Sequence, residues 1–364
     1  MQIPHELIAL ARRFAHGSVS IKSDTMLSIT AVGRALPAVE PEDFILVSRS
    51  EVKNAAERDN PLNALVALGD DTGGALLPGI ETALHAEIDS KVIVHVRSTP
   101  ILGLLSARGS ENAVRTVFND DHIWVPALPP DREFLEAFKR AIGDYRKEKA
   151  VPAPRFVAMA NRGLLVCGAD VENVQASIER VLANVEARIE RRPGTGSTEY
   201  DPDRLVNLAD AVKRAIAGAR AARGAALDPP EVTTFSNDEL LFRTDSTKRF
   251  EAIRSALTAD QLIHLGSRVC YVSPQTEVNS PQALLADVLH EILAFFDAEG
   301  TVPRIVAVRG AGAVAIGRSE GDLVGIRDSF VEALETACYA ESFGGAKPLP
   351  DEFLTQFHGE PAIH

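Results

Sequence analysis

"PRFVAMANRGLLVCG", residues 154–168, returns as "PRIVAVRGAGAVAIG" at residues 303–317. Aligned without gaps, the two share Pro, Arg, Val, Ala and both glycines. Six of fifteen positions agree, where unrelated sequence of average composition gives about one. Each copy predicts a strand, a turn and then a long amphipathic helix, "VENVQASIERVLANVEARI" after the first and "DLVGIRDSFVEALETAC" after the second. Each is also preceded by an apolar-striped helix ("REFLEAFKRAI" and "ALLADVLHEILAFF") and, before that, by a strand ("HIWVPA" and "RVCYVS"). The chain therefore reads as an α/β unit followed by a partial copy of itself.

Upstream of the first copy, "SVSIK", "MLSITAV" and "DFILVS" predict short strands separated by turn residues. "PLNALVALGD" and "PGIETALHAEI" predict helices, and "KVIVHVR" returns to strand. The helix in "PPDREFLEAFKRAIGDYRKEKA" carries Phe134, Leu135, Phe138, Ile142 and Tyr145 on one stripe. Between the copies, "RRPGTGSTEYDPDR" is turn-rich, and an Ala/Arg-rich helix and "LDPPE" follow. The expected organisation is a first domain over 1–190, a linker with a helix over 191–231, and a partial repeat over 232–364.

Composition narrows the partners. A net charge of −13 over 364 residues argues against nucleic acid or an anionic membrane, since both need a basic face. No apolar run approaches a membrane span, and "MQIPHELIALARRFAHGS" lacks the apolar core of a signal peptide. Cys167, Cys270 and Cys338 stand apart in apolar surroundings, which predicts buried reduced thiols and a cytoplasmic setting. His290-Glu291 lacks the HExxH spacing because position 294 is Ala, and "RGAGAVAIG" fails the GxGxxG pattern at Ala315.

The chemistry lies in an ordered series: a glycine turn, a strand, "PGIETALHAEI", "VHVRSTPILGLL" and "NRGLLVCG". This series resembles the class II aldolase/adducin family. It looks most like the aldolase half of bifunctional rhamnulose-phosphate aldolase/short-chain dehydrogenase proteins. The resemblance covers residues 1 to about 190 and touches the second half through "LTADQLIHLGSRVCYV" and "PRIVAVRGAGAVAIGRS". It implies a three-layer α/β/α domain followed by a truncated pseudo-repeat, and a homo-oligomer, because sites in that family lie at subunit interfaces. It also implies a zinc held by an H-x-H strand and an "NHG" turn, with a glutamate on the preceding helix as acid/base. Retro-aldol cleavage leaves an enediolate, which a metal with open positions stabilises as a Lewis acid while a carboxylate moves the proton.

The motif carries over in part. Glu81 matches the acid/base glutamate and His95 the first histidine, but Arg97 and Arg162 stand where the other two histidines would be. A guanidinium keeps its proton and offers no lone pair to a metal. The expectation is a degraded zinc site, with no metal and weak or no zinc-dependent cleavage. The family's phosphate-side turns are also thinned, to Gly17-Ser18, Val32-Gly33 and Gly79. Glycine-turn amides can still cradle an anion.

Three readings of the arginines stay open. Arg97 and Arg162 could fill the vacated pocket and pair with Glu81 and each other's neighbours, leaving an inert scaffold. They could clamp a carboxylate or phosphate in two-pronged fashion, making a binding protein or a metal-free lyase. Or a divalent metal, zinc or another, could move to Glu81, His85 and His95, since Glu81 and His85 are i, i+4 neighbours on one helix, giving an active metal-dependent lyase. The expected ligand is a small anionic sugar phosphate or hydroxy acid, bound by Arg97, Arg162, His95, Gly17, Ser18 and Gly33, with Glu81 as acid/base.

Overall fold

The computed structural model of the protein describes residues 2–72, 76–119, 121–194, 196, 202–221, 230–274 and 281–353. Parts of the expected linker (195, 197–201 and 222–229) and the end of the expected repeat (354–364) lie outside the described residues. The chain divides into one unit of Met1–Leu105 with Gly109–Ile189, and a second of Ser106–Arg108 with Glu190–His364.

The first unit runs α1 (His5–Ala11), β1 (Gly17–Lys22), β2 (Met26–Thr30), β3 (Phe44–Ser48), α2 (Arg49–Ala56), α3 (Pro61–Val66), α4 (Ile80–Glu87) and β4 (Val92–Val96). It continues with α5 (Thr99–Leu105), α6 (Ser110–Phe118), β5 (His122–Val125), α7 (Arg132–Lys149), β6 (Phe156–Met159), β7 (Gly163–Gly168) and α8 (Val171–Glu186). Its strands form one sheet in the order β3-β2-β1-β4-β7-β6-β5, parallel only between β5 and β6.

Both faces of this sheet are covered. On one, Ile93, Val157, Met159 and Leu165 share a core with Val52 of α2, Leu65 of α3, Leu84 of α4 and Phe138 of α7. Helices α1, α5, α6 and α8 take the other side. The α7 stripe read from the sequence is buried at all five positions, and Asp131 starts the helix by accepting from the Phe134 amide at 3.2 Å. This is the three-layer α/β/α arrangement expected. Helix α5 went unread because "TPILGLL" is buried on nearly every side and shows no stripe to find, and α6 went unread although Val114, Val117 and Phe118 mark a buried stripe.

The second unit holds α9 (Pro202–Ala221), β8 (Glu231–Phe235), α10 (Asp238–Thr244), α11 (Thr247–Phe250), α12 (Ala259–Leu265), β9 (Cys270–Val272), α13 (Pro281–Glu299), β10 (Ile305–Val308), β11 (Gly312–Gly317) and α14 (Glu320–Ala340). Its sheet order is β8-β11-β10-β9. The stretch expected to be a linker supplies α9, which is core: Leu208, Val212, Ala215 and Ile216 are fully buried with Val288 and Ile292 of α13. A helix this deeply packed cannot serve as a connecting excursion.

The quoted fifteen residues fold as two strands in each copy, where one strand and a turn were expected. Phe156 pairs with Val166 and Met159 with Gly163, just as Ile305 pairs with Ala315 and Val308 with Gly312. The details run alongside. Asn161 and Gly310 both take left-handed φ values, of 56° and 67°. Asp170 and Ser319 each accept from the amide three residues on. The order β8-β11-β10-β9 repeats β4-β7-β6-β5 with the same strand directions. Through the pairing of β11 with β8, Thr234 takes the register position of His95, and Ala311 that of Arg162.

Candidate functional site

Strand β1 alternates Ser18, Ser20 and Lys22 with Val19 and Ile21. In a one-sided sheet the polar row would face water. Here α4 lies over it, and Ser18, Ser20 and Lys22 are 5%, 0% and 5% exposed. A buried polar row must find partners, and α4 provides them. Lys22 Nζ donates to the carbonyls of His85 and Ile88, each at 2.6 Å, tying down the C-terminal end of the helix. Burial pushes the Lys22 ammonium down to about 7.

One turn earlier on α4, Glu81 and His85 face the two serines. Ser18 Oγ donates to Glu81 Oε2 at 2.7 Å and lies 3.1 Å from His85 Nε2. His85 Nδ1 lies 2.7 Å from Ser20 Oγ. Across the strand pair, Ser18 stands opposite His95, whose Nδ1 is 2.6 Å from the same Glu81 oxygen. Burial alone would raise the Glu81 pKa, but the His95 imidazole and the hydrogen bonds from His95 and Ser18 outweigh it. They hold the carboxyl well below the usual carboxylate range. Burial also pushes His85 down to about 3.

Donor counting then fixes the tautomers. An ionised Glu81 only accepts, so His95 donates from Nδ1. The single Ser18 proton goes to Glu81, so His85 donates from Nε2 to Ser18, and Ser20 donates to His85 Nδ1. One buried nitrogen of this network is left over. His95 is fully buried and its Nε2 has no hydrogen-bond partner.

What that nitrogen faces follows from Gly163, in the hairpin after Arg162. Gly163 has φ 136°, and a Cβ there would lie 2.5 Å from His95 Nε2, 2.9 Å from the Val96 carbonyl oxygen and 3.0 Å from Arg97 Cγ. His95 Nε2 and the stem of Arg97 thus flank the same glycine. Arg162 lays its guanidinium 4.5 Å from the Phe134 ring centre, a stacking contact of the kind arginine makes well.

Other expected site residues fall differently. Gly17 is not in a turn: it lies within β1 opposite Val96, and a Cβ there would sit 2.1 Å from the His95 carbonyl oxygen. Its glycine is required by close strand approach, not by an anion. The Ser18 hydroxyl is committed to Glu81 and His85. Gly33 keeps a turn with φ 78°, beside the start of α4, where Val32 reaches toward Gly79. The relocated metal set also fails on His85, because both its ring nitrogens are held by serine hydroxyls.

The zinc implied by the family resemblance does not fit this donor set. Of the three ligand positions only His95 carries a lone pair, and the other two are guanidiniums. Among the described residues no group of three or more His, Cys, Asp or Glu is placed to hold a metal ion. The cysteines offer none: all three are buried and unpaired, and burial pushes each thiol up to about 12. A cleft of about 1110 Å³ in the first unit, lined by Lys91, Tyr145, Arg155 and Gly168, lies at the opposite end of β4 and β7 from His95 and Gly163. No helix among the described residues is long and apolar enough to cross a membrane.

Residues 11–187 match the family model described as the Class II Aldolase and Adducin N-terminal domain. Solved structures are similar to the same half. One is the N-terminal class II aldolase domain of a conserved protein from Thermoplasma acidophilum, 16% identical over 52% of this chain and 96% of that one, with a TM-score of 0.43. An aldolase II superfamily protein from Pseudomonas syringae is 14% identical over 50% of this chain and 71% of that one, at 0.35. L-fuculose-1-phosphate aldolase from Thermus thermophilus is 13% identical over 50% and 93%, at 0.31. No curated protein matches the chain in sequence. The first unit is a class II aldolase-like domain, and a further α/β region follows it.

Proposed function

We propose that the first unit binds a small anionic carbohydrate, a sugar phosphate or hydroxy acid, without zinc, and has weak or no zinc-dependent retro-aldol activity. The observation that carries this reading is the His95 Nε2 atom, buried and partnerless beside Gly163 and Arg97. A lone pair next to permanent positive charge suits a hydroxylated anion and repels a cation. Arg97 and Arg162 place up to two positive charges at the two family ligand positions that lack histidine. The second unit, on this reading, is a truncated copy without the chemistry, since Thr234 and Ala311 stand at the His95 and Arg162 positions. A cytoplasmic homo-oligomer remains the expected setting.

The test pairs elemental analysis with binding. The purified protein is expected to contain no stoichiometric metal, while Arg97→His/Arg162→His acquires zinc. Calorimetric titration with 3-phosphoglycerate, which offers a hydroxyl, a carboxylate and a phosphate, should show binding that Arg97→Ala/Arg162→Ala weakens roughly 10- to 100-fold. Stoichiometric metal in the wild type, or equal affinity in the alanine variant, would overturn the reading.

A further inference from the structure

We infer that His95 Nε2 is the proton-transferring atom of the proposed anion site and that Glu81 is its positioning partner, the reverse of the roles the family resemblance implies. The inference depends on the proposed anion site, because it needs a hydroxylated ligand beside Gly163.

The geometry assigns these roles. One Glu81 oxygen is doubly engaged: Oε2 accepts from Ser18 Oγ at 2.7 Å and from His95 Nδ1 at 2.6 Å. A carboxylate so held is a weak base. What it does well is fix the neighbouring ring, because an acceptor at Nδ1 forces the proton there and leaves the lone pair on Nε2, toward Gly163. The Nε2 atom is buried without a hydrogen-bond partner, and an orphaned buried atom of that kind calls for a ligand. Behind Glu81, the hydrogen bonds through Ser18, His85 and Ser20 keep the carboxylate from rotating away. His85 has both ring nitrogens engaged, so it positions and does not transfer.

The step balances within the proposed anion site. With an α-hydroxy carbonyl phosphate bound, the Nε2 lone pair takes the proton from the carbon next to the carbonyl. The C–H electron pair becomes the C=C bond and the carbonyl π pair moves onto oxygen, giving an enolate. The imidazolium so formed is balanced by Glu81 at Nδ1, and the enolate oxygen by the guanidinium charge on the Arg97 side. Return of the proton regenerates both partners.

Two measurements on the full chain test this. The first is a long-range proton–nitrogen NMR spectrum of ¹⁵N-histidine-labelled protein, assigned with His95→Asn. At neutral pH it should show the His95 proton on Nδ1 and a bare Nε2, and Glu81→Gln should mix the two tautomers. The second is exchange of the acidic C–H proton of dihydroxyacetone phosphate in D₂O, with binding followed separately by calorimetry. Wild type should exchange; His95→Asn should lose exchange by at least about 100-fold, and Glu81→Gln should slow it by a similar factor with affinity changed by less than about threefold. Retained exchange in His95→Asn with loss in Glu81→Gln makes Glu81 the base and overturns the inference. Binding without exchange in the wild type, or a proton found on Nε2, overturns it as well. If the triose phosphate does not bind while the tautomers are as stated, it is the ligand class under Proposed function that fails.

Discussion

Lys22 shows how a single buried group records the design of this site. Its amine titrates near 10.5 in the unfolded chain and is pushed by burial down to about 7 in the fold. Between those pH values the unfolded chain holds a proton that the folded one lacks, so stability climbs with pH across that window. The slope reaches at most about 1.4 kcal/mol per pH unit. Below 7 the cost of burying the ammonium is fully present. Urea unfolding of wild type and Lys22→Met at pH 7, 8, 9 and 10 should show the wild type gaining on the variant at each step. Parallel curves would mean that the amine stays charged in the fold. The sequence made Glu81 and His95 legible as a pair, and they are one hydrogen bond apart. Ser20 and Lys22 were not legible, because an alternating polar row in a strand ordinarily signals a solvent face. Only the cover from α4 reverses that meaning. Gly17 misled for a related reason: a glycine demanded by a neighbouring strand looks in sequence like a glycine demanded by a turn.

At the scale of elements, the two β-hairpins are the most informative comparison. In each, the first residue of the second strand is a glycine with φ near 137°, Gly163 at 136° and Gly312 at 138°. In each, an added Cβ would press on the carbonyl of the neighbouring strand, 2.9 Å from Val96 and 2.8 Å from Phe235. This backbone region is nearly closed to other residues and strains them by about 1–3 kcal/mol. Gly163→Ala and Gly312→Ala should therefore each lower stability by at least about 1 kcal/mol in denaturant titration. Only Gly163→Ala should also disturb the His95 imidazole resonances, since only there does the Cβ meet a ring nitrogen. Equal stability of either variant would mean that the hairpin relaxes to accept a side chain. The sequence repeat showed where the hairpins lie because glycine at these two sites is dictated by backbone geometry. It did not show that each copy holds two strands, since the turn between them is only three residues long and contains no proline.

Over the whole molecule, each unit owns a buried cluster built from its own helices and its own sheet. Leu165 is fully buried in the first among Phe138, Leu84 and Met159, and Leu208 is fully buried in the second among Val212, Ile292 and Val306. Cores that do not share residues can melt separately. Denaturant unfolding followed by circular dichroism and by the fluorescence of Trp124, the single tryptophan, which lies in β5 of the first unit, should then resolve two transitions. Leu165→Ala should shift the transition seen by Trp124, and Leu208→Ala should shift the other, each by about 2–5 kcal/mol. The second variant also measures what the sequence hid. Helix α9 reads as a connection because it is rich in alanine and arginine and follows a turn-rich stretch, yet its leucines and valines seal the second core. If Leu208→Ala leaves stability unchanged, α9 is peripheral and the linker reading returns. If both variants move one shared transition, the two units fold as a single cooperative block despite their separate clusters.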